Sequence, residues 1–236
     1  MTETPQEEPQ HQTYMWVVAH PDDLEFSSGG TVARFAKEGK TVILIQVTSG
    51  DRGTTDRSFT PPVLASTREA EELEAAKRLG ISKVEFLREP DGAVVPDPKL
   101  RERVTKMIRT YRPDVIVTHD PFRPYALHPD HRAAGMVAHE AVYPGARDPL
   151  YYPDHLASGL EPHKTAEIWY FGSEQPDIYI DITDTFDDKV NALKAHKTQV
   201  GDADGMAERL RGHSAEIAKD QPFELAEAFK VVKMRR

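Results

Sequence analysis

His20-Pro21-Asp22-Asp23 places one imidazole and two carboxylates within four residues, directly behind the apolar run 15–19. A second cluster, His128-Pro129-Asp130-His131, stands far along the chain behind another apolar run, 115–117. Together they hold enough nitrogen and oxygen donors for one divalent ion, with acidic and imidazole groups left over for proton transfer. That surplus points to a hydrolytic site rather than a structural one. His20 and Asp23 are three apart, as are His128 and His131. At a turn or helix start, such pairs share a face and can reach one ion. Catalytic zinc sites usually take three protein ligands and keep one position open. The economical set is therefore His20, Asp23 and His131, with Asp22 left beside the ion and His128 facing it from the other side. A bound divalent ion lowers the pKa of coordinated water from 15.7 to roughly 7. A carboxylate within reach of that proton typically contributes about 10²–10⁴-fold. Asp130, between the two histidines, could orient one ring through its N–H. Such a donor set admits Zn2+ and also Fe(II), Co(II), Ni(II) or Mn(II). Alone, His-Pro-Asp-Asp reads equally as a capped turn, since Asp favours turns. Two such clusters, each behind a strand, favour the metal.

The elements that must carry these residues follow from hydrophobic patterning. Residues 14–19, 41–48, 84–87 and 113–118 are short, nearly continuous apolar runs, predicted as buried strands. Between them, 32–38, 66–79 and 100–111 carry helical spacing. The second of these has a plausible Ser66 N-cap, Leu73, Ala76 and Leu79 on its inner face, and a closing Gly80. Ser28-Gly29-Gly30-Thr31 punctuates the first strand–helix connection. Further helices are expected at 131–142, 186–200 and 205–219, and strands near 168–171 and 178–182. Residues 224–232 suit a helix or an edge strand. Strands alternating with helices imply parallel βαβ units, and the unbroken apolar character implies cover on both faces. The expected fold is a Rossmann-like three-layer α/β/α sandwich with a mostly parallel sheet. In such sheets ligands bind beyond the carboxyl ends of the strands, near a topological switch point. Both clusters sit there, as does the loop beginning at Ser49.

The chain has 236 residues, 39% hydrophobic and 29% charged, with a formal net charge of −9 and no cysteine. That suits one soluble α/β domain over 13–236 behind a polar, disordered tail, 1–12. The acidic balance argues against nucleic acid or an anionic membrane as partner. Absence of cysteine removes thiolate ligands and leaves His and Asp. The tail lacks the cationic start and apolar middle of a signal peptide, so a cytoplasmic protein is expected.

The two motifs resemble those of the PIG-L/LmbE-like family of zinc-dependent N-acetylglucosaminyl deacetylases. They are Ala19–Asp23 with Gly29-Gly30-Thr31, and His128–His131 followed by Arg132-Ala133-Ala134-Gly135. Thr48-Ser-Gly-Asp-Arg-Gly-Thr54, Arg68-Glu69 and residues 113–120 and 189–196 match as well, so the resemblance spans about 14–232. It implies zinc on His20, Asp23 and His131, Asp22 as general base, and His128 as the oxyanion-stabilising partner. It also implies sugar contacts near Arg68, Glu69 and Asp91, a small amino-sugar substrate, and assembly into trimers or hexamers. Two positions depart from the pattern: Leu24, followed by Glu25, where many members have an acidic residue, and Ala126, where some place a tyrosine beside which Tyr125 stands here. Arg52 in its Gly-flanked loop and Arg123 between two prolines are further candidates for substrate contact. His119 is expected near the site as a supporting or buried histidine, and His196 in a structural or gating role.

The implied activity is removal of an N-acetyl group from an N-acetylglucosamine-type sugar or glycoconjugate. An alternative is an amidase that cleaves a larger acyl group from a sugar-thiol conjugate. A nucleotide-binding module would want Gly-x-Gly-x-x-Gly after the first strand, where this chain has His-Pro-Asp-Asp.

Overall fold

The structure, a computed structural model, describes residues 11–201 and 203–234; most of the expected tail, 1–10, lies outside them. Seven strands form one sheet: β1 (Thr13–Val18), β2 (Thr41–Thr48), β3 (Lys83–Glu89), β4 (Val115–His119), β5 (Glu167–Phe171), β6 (Ile178–Asp181) and β7 (Ala226–Lys233). Their spatial order is β3-β2-β1-β4-β5-β7-β6, with only β7 antiparallel to its neighbours. The α/β sandwich expected from the patterning is therefore present.

Alternate residues of a strand face opposite layers, and β1 shows why its sequence is apolar throughout. Met15 and Val17 pack with residues of α3 (Pro98–Tyr111) and α4 (Pro129–Glu140). Tyr14, Trp16 and Val18 pack with residues of α1 (Asp23–Lys37), α2 (Pro61–Leu79) and α6 (Phe186–Leu193). From β1 the chain moves one way through β2 and β3, then returns to β4 and moves the other way. The loops after β1 and β4 thus part at the switch point and leave a crevice at their carboxyl ends. Both motifs stand on its rim.

Local details differ from the sequence reading, each for a tertiary reason. α1 begins at Asp23 and runs through Ser28 with a kink there (φ −148°, ψ 17°) instead of starting after the glycines. The glycines serve contact: a Cβ on Gly30 would lie 2.7 Å from Ile182 Cβ. α2 begins a turn earlier than expected, with prolines in its first turn, and Ser66 Oγ donates to Val63 O instead of capping. Leu73 is 51% exposed, whereas Arg68 and Glu72 take the inner face with Ala75, Ala76 and Leu79. α4 starts at Pro129 with His128 as N-cap and gives way to a wide turn at Ala141–Ala146. After a short helix, α5 (Pro153–Ala157), the chain reaches β5 and β6. α6 (Phe186–Leu193) is shorter than expected; tight turns follow, such as His196 N–H to Leu193 O, and bring His196 into the core. α7 (Ala203–Ile217) precedes β7, which is neither a helix nor an edge strand: it lies between β5 and β6.

Glu227 of β7 fastens this arrangement. Its carboxylate accepts the N–H groups of Gly30 and Thr31 and lies 2.6 Å from Lys189 Nζ, both side chains being buried. Removing one partner of a buried pair leaves the other charge uncompensated, at a cost of about 3–5 kcal/mol. Glu227→Leu is expected to lower stability in urea unfolding by that amount. A midpoint and slope equal to wild type would show the pair to be inert.

No helix among the described residues is long and apolar enough to cross a membrane.

Candidate metal centre

His20 follows β1, and the backbone turns at once. Asp22 has φ 95°, in the left-handed region, and Asp23 opens α1 with its Oδ2 accepting the His20 N–H at 2.7 Å. Across the crevice Pro129 opens α4 and sets Asp130 and His131 in its first turn. The two turns meet. His20 Nδ1 lies 3.3 Å from His131 Nε2 and 3.4 Å from Asp23 Oδ2, and His131 Nε2 lies 3.1 Å from Asp23 Oδ1. Donors each about 2.0–2.1 Å from one tetrahedral ion stand about 3.3 Å apart. The two Asp23 oxygens thus each stand beside one of the imidazoles; spacings of this size fit donors around a divalent transition metal, and two imidazoles with one carboxylate suit zinc or a neighbour in the series.

The sequence offers more donors than one ion needs: His20, His128 and His131 also cluster, as do Asp23, His119 and His131. Hydrogen bonding separates them. His128 Nδ1 accepts the Asp130 N–H at 3.3 Å, and His119 Nε2 accepts the Ala19 N–H at 3.3 Å. His20 Nε2 faces Asp130 Oδ2 and Asp91 Oδ1, each at 3.2 Å, which leaves Nδ1 for a ligand. This is the carboxylate support that fixes a metal-binding imidazole. Asp130 is itself held by the N–H groups of Gly92 and Val94, and Asp91 by that of Arg52. His119 stacks on His131 at 4.2 Å between ring centroids and reaches Asp23 Oδ2 at 3.3 Å.

Electrostatics follows from this packing. Burial works against charge on His20, yet Asp23 and Asp91 raise it to about 10. Burial also opposes the Asp23 carboxylate, but His119, His131 and His20 hold it well below the usual range. Asp22 differs from its neighbour: burial first, then Asp23, push it up to about 7, with Arg68 pulling the other way. Burial, then the charges of His20 and His131, lower His128.

The His20 shift has a measurable consequence. Its charge favours the folded, metal-free protein fully below pH 6.5, and that contribution fades as pH rises through about 10. An ion held through Nδ1 must displace a proton at neutral pH. Calorimetric titration of chelator-treated protein, in buffers of different ionisation enthalpy, is expected to read about one proton released per ion. Heats that do not depend on buffer would place His20 outside the coordination sphere.

Of the residues expected at the substrate, the structure brings only some to the crevice. Asp91 is there, but against His20. Arg68 is buried behind Asp22: its Nη2 donates to Pro21 O at 2.6 Å and to Asp22 Oδ2 at 3.3 Å, and its Nη1 to Gly50 O at 3.2 Å. Gly50 makes room, since a Cβ there would lie 2.3 Å from that nitrogen. Glu69 is occupied by Ser49 and Arg88. Arg68 and Glu69, expected near the sugar, thus both make contacts within the protein beside the crevice. Arg52 keeps an exposed side chain, and Arg123 lines a hollow of about 630 Å³ with Phe26, Ser27 and Phe171. Tyr125 is 93% exposed and stands in solvent. Glu25, Glu72 and His196 are wholly buried near Asp22, and sequence reasoning gives no role to Glu72, although with Arg68 it occupies a position of the α2 stripe where apolar residues are expected.

Comparison with known proteins agrees with this geometry. The family model PIG-L: GlcNAc-PI de-N-acetylase matches residues 15–142, which include both motifs. Diacetylchitobiose deacetylase of Thermococcus kodakarensis is 33% identical over 181 residues, covering 76% of this chain and 67% of that protein. A 1D-myo-inositol 2-acetamido-2-deoxy-alpha-D-glucopyranoside deacetylase of Mycobacteroides abscessus is 32% identical over 226 residues, covering 79% and 81%. The solved structure of N,N'-diacetylchitobiose deacetylase from Pyrococcus horikoshii superposes with a TM-score of 0.90 at 30% identity, over 95% of this chain and 85% of that one.

Proposed function

The chain belongs to the PIG-L family, and from that membership we propose that it is a zinc-dependent hydrolase removing the N-acetyl group from an N-acetylglucosamine-type sugar or glycoconjugate. One observation carries the reading: two imidazoles and a carboxylate stand 3.1–3.4 Å from one another beside the Asp22 carboxyl, which burial pushes up to about 7. His20 through Nδ1, Asp23 and His131 through Nε2 would hold the ion. When bound, it polarises the acyl carbonyl and makes water a better nucleophile at neutral pH.

The chain's own groups do the rest. Asp22 accepts the proton of the attacking water and returns it to the departing amine; a base working near its own pKa serves both directions. Arg68 fixes the Asp22 carboxyl from behind. His128, whose Nδ1 is occupied by the Asp130 N–H, carries its proton on Nε2 and donates it toward the acyl oxygen as charge develops there. Asp130 and Asp91 keep His20 in the tautomer that leaves Nδ1 free.

The test is a panel of N-acetylated sugars, including diacetylchitobiose and an N-acetylglucosaminyl inositol, given to zinc-loaded protein. Acetate and free amine are expected in equal amounts. Release of only a bulkier acid from acylated sugar-thiols would replace deacetylation by the amidase reading. No release from any member by fully loaded protein would overturn both.

A further inference from the structure

Beneath Asp22 lies a group of side chains that the reaction above does not use. Glu25, Glu72 and His196 are all fully buried. Their side chains face one another, Glu25 beside Glu72 and His196 Nε2 3.6 Å from Glu25 Oε2, and both ring nitrogens of His196 lack a hydrogen bond of ordinary length among the described residues. One atom of the group is engaged: Glu72 Oε2 accepts the backbone N–H of Asp22 at 3.2 Å.

What this contact holds is a strained backbone. Asp22 sits at φ 95°, ψ −23°. For a residue with a Cβ, such a conformation costs on the order of 1–3 kcal/mol and persists only where the surroundings over-determine it. α2 supplies the determinants from one face, four residues apart. Arg68 grips the peptide from the Pro21 carbonyl and touches the Asp22 carboxyl, while Glu72 takes the Asp22 amide. Among the described residues no other acceptor is recorded for that amide.

We propose that Glu72 is a positioning residue for deacetylation: by accepting the Asp22 N–H it locks the Pro21–Asp22 turn so that the Asp22 carboxyl stays aimed into the crevice. The inference rests on the reading of Asp22 as proton carrier. Burial, and then Glu25, push the Glu72 carboxyl well above the usual carboxylate range. Glutamine is close in shape to that acid and keeps a carbonyl oxygen for the amide. Methionine keeps the bulk and offers no such acceptor.

The experiment compares wild type, Glu72→Gln and Glu72→Met as zinc-loaded full chains. It reads hydrogen exchange at the Asp22 amide by NMR, zinc stoichiometry, melting temperature, kcat and KM. Glu72→Gln is expected to keep the amide protected and retain most turnover. Glu72→Met is expected to melt close to wild type and keep its zinc, while exchange at Asp22 quickens by about tenfold or more. Its kcat is expected to fall about 10²-fold at unchanged KM, the size of loss that misplacing a catalytic group brings. A protected Asp22 amide and wild-type kcat in Glu72→Met would overturn the proposal. Should Glu72→Met fail to fold, Glu72→Ala is judged by the same readings. If wild type releases no acetate, the functional reading has failed, and the exchange data still decide whether Glu72 holds Asp22.

Discussion

Asp22→Asn is expected to lower kcat by about 10²–10⁴-fold, the usual worth of general acid–base help, while zinc content and KM stay near wild type. Asparagine keeps the backbone N–H that Glu72 accepts and nearly the same shape beside Arg68, but it cannot take a proton. The variant should also lose the acidic limb of the kcat/KM profile, since that limb reports the group being removed. Its stability should change in the opposite sense to its activity. A carboxyl raised from 3.8 to about 7 binds its proton more tightly in the folded protein than in the unfolded chain. The folded state therefore loses stability as pH climbs from 3.8 through about 7. In chelator-treated protein, Asp22→Asn should melt above wild type beyond pH 7 and converge with it near pH 4. Wild-type turnover in this variant would remove Asp22 from the chemistry.

His131→Ala has the other large effect. Two of the three sides of the donor triangle end on His131 Nε2. Loss of a carboxylate that merely supports a ligand already costs about 10–100-fold in metal affinity. Loss of the imidazole itself should exceed that range and take activity to background. Folding should survive, because the His131 side chain is 35% exposed on the crevice wall and not in the core. Metal analysis after dialysis against a competing chelator reads the result. One tightly held ion per chain would mean that His119 or His128 completes the coordination instead.

How much of this could be read from the sequence depended on how far each property was local. His20, Asp23 and His131 were legible because short motifs behind apolar strands fix both residue type and position. The layered fold was legible for the same reason: unbroken runs such as 15–19 and 41–48 fit only strands covered on both faces. Arg68 and Glu69 were placed near the site by resemblance, but whether their polar atoms face a substrate or the protein depends on which backbone carbonyls and side chains lie opposite. Leu73 was misread because one apolar residue at helical spacing looks like a core position; the actual inner face carries Arg68 and Glu72 among its small residues. β7 was ambiguous because its place between two strands is set by partners far away in sequence. Glu72 was missed altogether, since a buried carboxyl on a polar helix looks like any solvated one until its neighbour is known.

The position of β7 also bears on the order in which the molecule can be assembled. β6 pairs with β7, and β7 supplies the carboxylate that pins Gly30 and Thr31 near the start of α1. On a ribosome, β2 through β5 can line up as they emerge, each beside a parallel neighbour already made. β6 then waits without a partner until residues 226–233 have been synthesised. The helix that opens with Asp23 is fastened at that same moment, so β7 both joins β6 to the sheet and supplies the support beneath the first motif.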